Sequence, residues 1–405
     1  MKTDVIIIGG GASGLCAAIA IKQLVPQKSV RIFECLPRVG KKLITTGNGR
    51  CNISNKNITL ERYHGEHKEF CKYALEKYNL SVCEKFFYNI GIPFIYEGDK
   101  AYPASLQAGS VVDCLRFAAE ELGVIIYTDM KVTGINTMGK NYKILSNKLG
   151  FVTENVVIAT GGLAGGEKLG CDGEMLEILK KAGFNIVKPQ PSIVQIKTNN
   201  DITKQLKGIK LDANVSVLKD DKILRQDFGE VLFTDYGLSG PPIMQVSREV
   251  SKNGGNSISL DIMPDVTLEK LTTIIEERAK RFCARPLEEF FTGMFNKRVG
   301  QVILKIAGFK LSDKASVLCG KSQVIANIIK NMQFTVTGTT GFANAQVTAG
   351  GLDTTQFNPK TMESCDCKNL YCIGEILDID GDCGGFNLQW AWSSAMAAAN
   401  AIGEK

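Results

Sequence analysis

The sequence predicts a doubly wound α/β domain built from both ends of the chain and interrupted by a β-rich, helical insert. Three observations lead there. An apolar run near the N-terminus stops at glycines and passes into an alanine-rich helical stretch; the texture changes to alternating, proline-flanked segments near residue 188; and the α/β texture returns after Val347. Residues 4–8 (Asp-Val-Ile-Ile-Ile) read as a strand, Gly9 to Gly11 as a tight turn, and Ala12 to Leu24 as a helix ended by Pro26. Val30 to Glu34 supplies a second strand, closing a βαβ unit of about 30 residues.

Residues 36–58 are rich in Gly, Asn, Arg and Lys and lack periodicity, which marks a functional loop. Helices are expected at about 66–78, 80–90 and 109–122, and strands near 124–136, 142–146 and 151–159. Alternation over 213–218 and 222–225, with Asp220-Asp221 between, predicts a hairpin. Amphipathic helices are expected at about 267–282, 287–307 and 322–332, then a strand at 370–373 and a closing helix at 387–402. The expected organisation is residues 1–189 and 344–405 as two segments of one cofactor domain, with 190–343 inserted as a second.

Composition narrows the classes. The 405 residues suggest two to three domains, and 44% hydrophobic with 22% charged residues argues against disorder and coiled coil. A net charge of +6 permits an anionic ligand or RNA without demanding either. Thirteen cysteines with no C-x-x-C pair fit neither a disulfide framework nor a zinc ribbon, so a reducing cytoplasm is expected. The uncharged stretches 5–21 and 383–402 carry glycines or polar residues unsuited to lipid, so no membrane association is expected. His64 and His67 are the only histidines; two ligands without a third predict no metal site.

Gly9-Gly10-Gly11-Ala12-Ser13-Gly14 is G-x-G-x-x-G between a strand and a helix, with Glu34 at the end of the next strand. Gly9 permits the turn, Gly11 lets backbone approach a pyrophosphate at the helix N-terminus, and Gly14 allows close packing. The Glu34 carboxylate can accept from ribose hydroxyls and disfavours a 2′-phosphate, leaving NAD or FAD. Three later features select FAD. Val156-Val-Ile-Ala-Thr160-Gly161 resembles the second dinucleotide contact of glutathione-reductase-like (GR2) flavoproteins, and Leu370-Tyr-Cys-Ile-Gly374-Glu375 resembles their C-terminal strand, where an acid holds a ribityl hydroxyl. Asp382-Cys383-Gly384-Gly385-Phe386-Asn387 then opens a helix whose first amides can face the flavin pyrimidine.

Four longer segments extend the resemblance: Gly40-Lys-Lys-Leu-Ile-Thr-Thr46-Gly-Asn48-Gly-Arg50-Cys51-Asn52, Phe233-Thr-Asp-Tyr-Gly237-Leu-Ser-Gly240-Pro241, Gly374-Glu-Ile-Leu-Asp378-Ile-Asp380-Gly381 and Gly384-Gly-Phe-Asn387-Leu-Gln-Trp390-Ala-Trp392-Ser-Ser. Across nearly its whole length the chain resembles the BaiN-type flavoproteins, the aminoacetone-oxidase-like NAD(P)/FAD-dependent oxidoreductases, a family that includes ribosomal RNA dihydrouridine synthase-like members. The resemblance implies an α/β, GR2-like FAD-binding Rossmann domain built from N- and C-terminal segments, with an inserted β-barrel plus helical domain. The expected cofactor-binding residues are Gly9, Gly11, Ala12, Ser13, Gly14, Glu34, Lys41, Lys42, Asn48, Gly49, Arg50, Cys51, Asn52, Val132, Thr160, Gly161, Gly374, Glu375, Asp380, Gly384, Gly385, Phe386 and Asn387. Lys41, Lys42 and Arg50 offer cations for a pyrophosphate or an anionic substrate, and Asn48 and Asn52 can line the flavin. Arg50, Tyr236 and Cys383 are the candidate catalytic side chains, whereas Trp390 and Trp392 are expected in the core. After Gly161-Gly162 the chain runs Leu-Ala-Gly-Gly-Glu-Lys-Leu-Gly-Cys171-Asp172-Gly173, without the proline-containing, Ser/Thr-rich loop of the family, so substrate preference is not carried over.

No second G-x-G-x-x-G unit follows the first, so NADH or NADPH is expected only as a transient donor at the flavin. The implied reaction is hydride addition to a carbonyl-conjugated C=C bond, as in a small-molecule enone such as a 3-oxo bile acid or steroid. A 23S ribosomal RNA uridine, whose C5=C6 bond is also conjugated, is the alternative substrate. An amine oxidase or a non-catalytic FAD redox sensor are further alternatives.

Overall fold

The computed structural model describes residues 2–199 and 201–405. Two compact units emerge, one running to Pro191 and resuming at Phe342–Lys405, the other spanning Ser192–Gly341. Each has its own apolar core.

The first unit is a Rossmann-type α/β fold around a seven-stranded sheet. Strand β1 (Lys2–Ile8) lies at its centre, flanked in parallel by β2 (Val30–Phe33) and by Gly150–Ile158. The Val-Ile-Ile-Ile run is fully buried because both sheet faces are covered, as parallel sheets require. Strand Gly150–Ile158 changes partner along its length: its first half pairs antiparallel with Asn141–Ser146, its last three residues parallel with Leu370–Cys372. Connections leave β1 toward one side and Gly150–Ile158 toward the other, so the crevice beyond their C-terminal ends is a switch point where open α/β sheets bind ligands. Helix α1 (Ala12–Leu24) lies against β1 and β2 and packs along the closing helix Phe386–Gly403, in which Trp390 and Trp392 are buried as expected for core residues.

The second unit contains a closed barrel in the order Ile196–Thr198, Gly237–Ser239, Lys222–Phe233, Lys210–Lys219, Ser257–Asp261 and Met332–Thr339. The hairpin at its centre turns on Asp220 and Asp221, both at positive φ, as a two-residue hairpin loop demands. Helices Pro241–Asn253, Leu268–Arg281, Lys297–Ile306 and Ser322–Lys330 complete this unit.

Three expectations need correction. The apolar stretch 124–136 is two strands: Ile125–Tyr127 pairs with β2 at one edge of the sheet, whereas Val132–Met138 forms the opposite edge. Asp129 at φ 52° breaks the run, and the Asp129 and Met130 amides are tied to the carbonyls of Leu36 and Glu34. Residues 287–307 yield a 3-10 turn at Leu287–Glu289 and an α-helix only at Lys297–Ile306, since Gly293 adopts φ 85° and the Asn296 side chain caps Arg298. Over 66–78 a 3-10 turn, Lys68–Cys71, precedes a short helix, Lys72–Lys77. All thirteen cysteines are free, and no helix among the described residues is long and apolar enough to cross a membrane.

Candidate functional site

The sheet brings the first group of expected residues together at the switch point. Gly9 donates to the Phe33 carbonyl and Ala159 to the Ile8 carbonyl, holding three strand ends side by side. A Cβ built on Gly9 would lie 2.4 Å from the Ala159 oxygen, and one on Gly14 would lie 2.0 Å from the Gly9 oxygen. Both glycines therefore serve close backbone approach. Gly11 differs: its Cβ would meet nothing within 4 Å, so the space over the start of α1 is open. That start has no side-chain cap and no acid in its first turn, which leaves its leading amides free to bind an anion. Ala12 and Ser13 sit in the same turn, and Gly374 closes on it, with a built Cβ 2.8 Å from Ser13 Oγ.

Glu34, buried at the end of β2, accepts from the Gly10 amide at 2.8 Å and the Leu36 amide at 2.9 Å. A carboxylate has about four acceptor sites, so capacity for ribose hydroxyls remains. Val132 begins its strand two residues beyond Met130, whose amide donates to the Glu34 carbonyl. Thr160 and Gly161 follow the last residues of Gly150–Ile158; Gly161 borders open space, and the buried Thr160 hydroxyl has no partner among the described residues.

A second group surrounds the start of the closing helix. Gly385 is its N-cap, at φ 97°, and a Cβ there would strike the Ser54 carbonyl oxygen at 2.5 Å and Asn52 Oδ1 at 2.8 Å. Gly384 is fixed by Asn55 Nδ2, which donates to its carbonyl at 2.8 Å. Trp390 Nε1 donates to the Gly374 carbonyl at 3.1 Å, linking the two groups. Asn52 is buried and its Oδ1 has no partner among the described residues. Two orphaned buried polar atoms, Thr160 Oγ1 and Asn52 Oδ1, together with the open space at Gly11 and two uncapped helix starts, fit a dinucleotide with a polar ring edge.

Other expected residues are placed differently. Lys42 Nζ lies 2.6 Å from Glu375 Oε2 rather than standing free for a pyrophosphate, and Glu375 Oε1 accepts from the Thr348 amide at 3.0 Å. Lys41 precedes it on the same short helix, Lys41–Thr45. Arg50 is paired with Glu97 and lies over the Tyr102 ring at 4.5 Å, committing it to the hairpin Phe94–Pro103. Asn48 and Gly49 are exposed, Asn48 at φ 55°. Burial pushes the Cys51 thiol up to about 12, so it is a neutral packing group at neutral pH. Phe386 turns its ring edge-on to Tyr63, and the Asn387 amide is spent on both polar atoms of the Gly381 backbone. Asp380 is buried in a two-residue bridge with His64 and Tyr63. Tyr236 is an exposed phenol of the second unit. Cys383 is partly buried beside Asp382.

Several contributors lack a sequence signal. Thr348 Oγ1 accepts from the Leu163 and Ala164 amides, shaping the divergent loop after Gly162, whose Cβ would lie 2.4 Å from that oxygen. Asp382 is clamped by His64 Nε2 at 2.8 Å and Arg62 at 3.3 Å.

The Lys42–Glu375 pair gives a testable pH dependence. Burial is the largest single influence and lowers the Lys42 pKa, but attraction to Glu375 and Cys171 together with the hydrogen bond to Glu375 outweighs it, so the net shift is upward from 10.5. A raised folded-state pKa contributes stability that is complete below the ordinary lysine value and lost as pH rises through the folded value. Lys42→Met is expected to cost about 1–3 kcal/mol at neutral pH, between the surface and buried limits for ion pairs. Thermal unfolding should show the wild-type advantage vanishing above the ordinary lysine range; a constant advantage there would assign it to packing.

Residues 3–401 match the HI0933-like protein Rossmann domain family. A 3-dehydro-bile acid delta(4,6)-reductase of Clostridium scindens is 33% identical over 404 residues, covering 98% of each chain. A ribosomal RNA dihydrouridine synthase of Haemophilus influenzae is 29% identical, again over 98% of each chain. Among solved structures, a 3-ketosteroid delta1-dehydrogenase of Sterolibacterium denitrificans superposes with a TM-score of 0.51 at 12% identity, covering 100% of this chain and 99% of that one, a likeness of fold. With the glycine turn, Glu34 and the uncapped start of α1 at the switch point, the chain belongs to the HI0933-like family and is a Rossmann-fold, FAD-dependent oxidoreductase.

Proposed function

We propose that this enzyme reduces a carbonyl-conjugated C=C bond of a small 3-oxo bile acid or steroid-like molecule. The observation that carries the reading is the 33% identity, over 98% of both chains, with a 3-dehydro-bile acid delta(4,6)-reductase. FAD would supply the hydride-transfer chemistry when bound, with NADH or NADPH as the proposed reductant. The chain's own part is positional: the start of α1 binds the pyrophosphate, Glu34 holds the ribose, and the uncapped start of the closing helix favours negative charge on the reduced ring. Hydride adds to the β-carbon of the enone and a proton to the α-carbon, so the C=C bond becomes C–C and the carbonyl is retained.

A second reading rests on the 29% and 28% identical relatives that are ribosomal RNA dihydrouridine synthases. The two differ only in substrate. Flavin reduced anaerobically with NADH or NADPH should be reoxidised by an unsaturated 3-oxo steroid, and the rate should hardly respond to salt. Reoxidation by unmodified ribosomal RNA alone, falling steeply with log salt through counterion release, would replace the first reading by the second.

A further inference from the structure

We propose that Tyr102 is the acid of the reduction, its hydroxyl giving a proton to the α-carbon as hydride reaches the β-carbon. This deepens the enone-reductase reading and rests on it.

Tyr102 lies on the strand Lys100–Pro103, the middle strand of a three-stranded antiparallel sheet between Phe94–Glu97 and Ser54–Asn55. Alternation along the strand puts Tyr102 on the same face as Lys100 and its cross-strand partner Asn55, with Ala101 on the other face. Lys100 and Asn55 are side chains that meet Gly384, where a built Cβ would lie 3.5 Å from Asn55 Nδ2 and 3.8 Å from Lys100 Cε. The face that carries Tyr102 is therefore the one turned toward the residues that open the closing helix. Cys383, the neighbour of Gly384, acts electrostatically on the phenol.

The phenol is placed to hold a proton and to release it outward. Tyr102 is 7% exposed, yet its hydroxyl has no hydrogen-bond partner among the described residues. A buried tyrosine ordinarily spends that group on a neighbour. Burial raises its pKa from 10, Arg50 opposes the rise, and Glu97 and Cys383 add to it, so the proton is present at neutral pH. The Arg50 guanidinium lies over the ring at 4.5 Å and steadies the phenolate left when the proton departs. Arg50 itself stays charged beside Glu97 and gives up no proton. Hydride brings two electrons to the β-carbon, and the π pair of the C=C bond moves to the α-carbon. There it takes the Tyr102 proton as the O–H bond breaks, and water returns a proton to the phenolate.

The test compares wild type with Tyr102→Phe, both loaded with flavin, using an unsaturated 3-oxo steroid. Phenylalanine removes no internal hydrogen bond, so flavin content and circular dichroism should be unchanged. Flavin reduction by NADH or NADPH involves no proton delivery to the steroid and should stay within about twofold of wild type. Reoxidation by the steroid should slow about a hundredfold or more, the usual contribution of a general acid. Contact is read separately from turnover: 3-fluorotyrosine at position 102 of the oxidised enzyme gives a fluorine NMR signal that should shift when the steroid binds. An unmoved signal while the steroid perturbs the flavin spectrum would overturn the proposal and leave the enone reading intact. So would a Tyr102→Phe enzyme reoxidised at the wild-type rate, or one slowed equally in both half-reactions. Wild-type flavin that the steroid does not reoxidise would overturn the enone reading, and the proposal with it.

Discussion

Gly11→Val is expected to give a folded, colourless protein. The added side chain meets no protein atom within 4 Å at its Cβ, and Gly11 has φ −82°, a value open to any residue. Nothing in the fold resists the substitution. It does fill the open space above the uncapped start of α1, where the backbone must touch a pyrophosphate for its amides to bind it. Absorbance near the usual flavin band should therefore disappear while far-ultraviolet circular dichroism stays that of the wild type. Gly14→Val, three residues on, should do the opposite kind of damage. Its Cβ would collide with the Gly9 oxygen at 2.0 Å, forcing α1 off the sheet and lowering stability by several kcal/mol. A yellow, stoichiometrically loaded Gly11→Val variant would sink the assignment of this turn to the cofactor.

The contrast between these glycines shows what a single sequence can carry. The G-x-G-x-x-G spacing is local: turn, helix start and packing all lie within six residues, so the close approaches at Gly9 and Gly14 and the open space at Gly11 are legible from the residues alone. Glu34 is legible for the same reason, being one strand away. The barrel hairpin is legible because period-two alternation flanks a two-residue turn. Charges are harder. Lys42 and Arg50 read as free cations from their loop, yet each finds a carboxylate distant in sequence, Glu375 and Glu97, and no local pattern encodes those partners. The stretch 124–136 misleads in another way, since β-propensity continues through Asp129 while backbone ties to Leu36 and Glu34 redirect the chain to the other edge of the sheet. At the start of the closing helix the Phe386 and Asn387 side chains support the turn, which leaves its backbone amides as the groups available to a ligand. Side-chain identity alone does not distinguish those two uses.

Gln389 illustrates the same limit with a large energetic consequence, and Gln389→Leu is expected to destabilise the first unit by about 2–4 kcal/mol. On a hydrophobic closing helix the residue reads as an interruption, whereas it is wholly buried and fully bonded. Its Oε1 accepts from Ser54 Oγ at 2.5 Å, and its Nε2 donates to the Tyr78 carbonyl and Ser393 Oγ, each at 2.9 Å. Leucine would leave the buried Ser54 hydroxyl without its acceptor, and an unmet buried donor costs more than the bond it replaced. Adding Ser54→Ala should recover part of the loss, because removing both partners leaves no orphan. The damage should reach the cofactor, since the Ser54 carbonyl packs directly against Gly385 at the helix start. Flavin should therefore be released at a lower temperature in Gln389→Leu, ahead of unfolding of the polypeptide followed by circular dichroism. Stability within about 0.5 kcal/mol of wild type, the usual effect of a surface change, would show that this network contributes nothing to the seat of the closing helix.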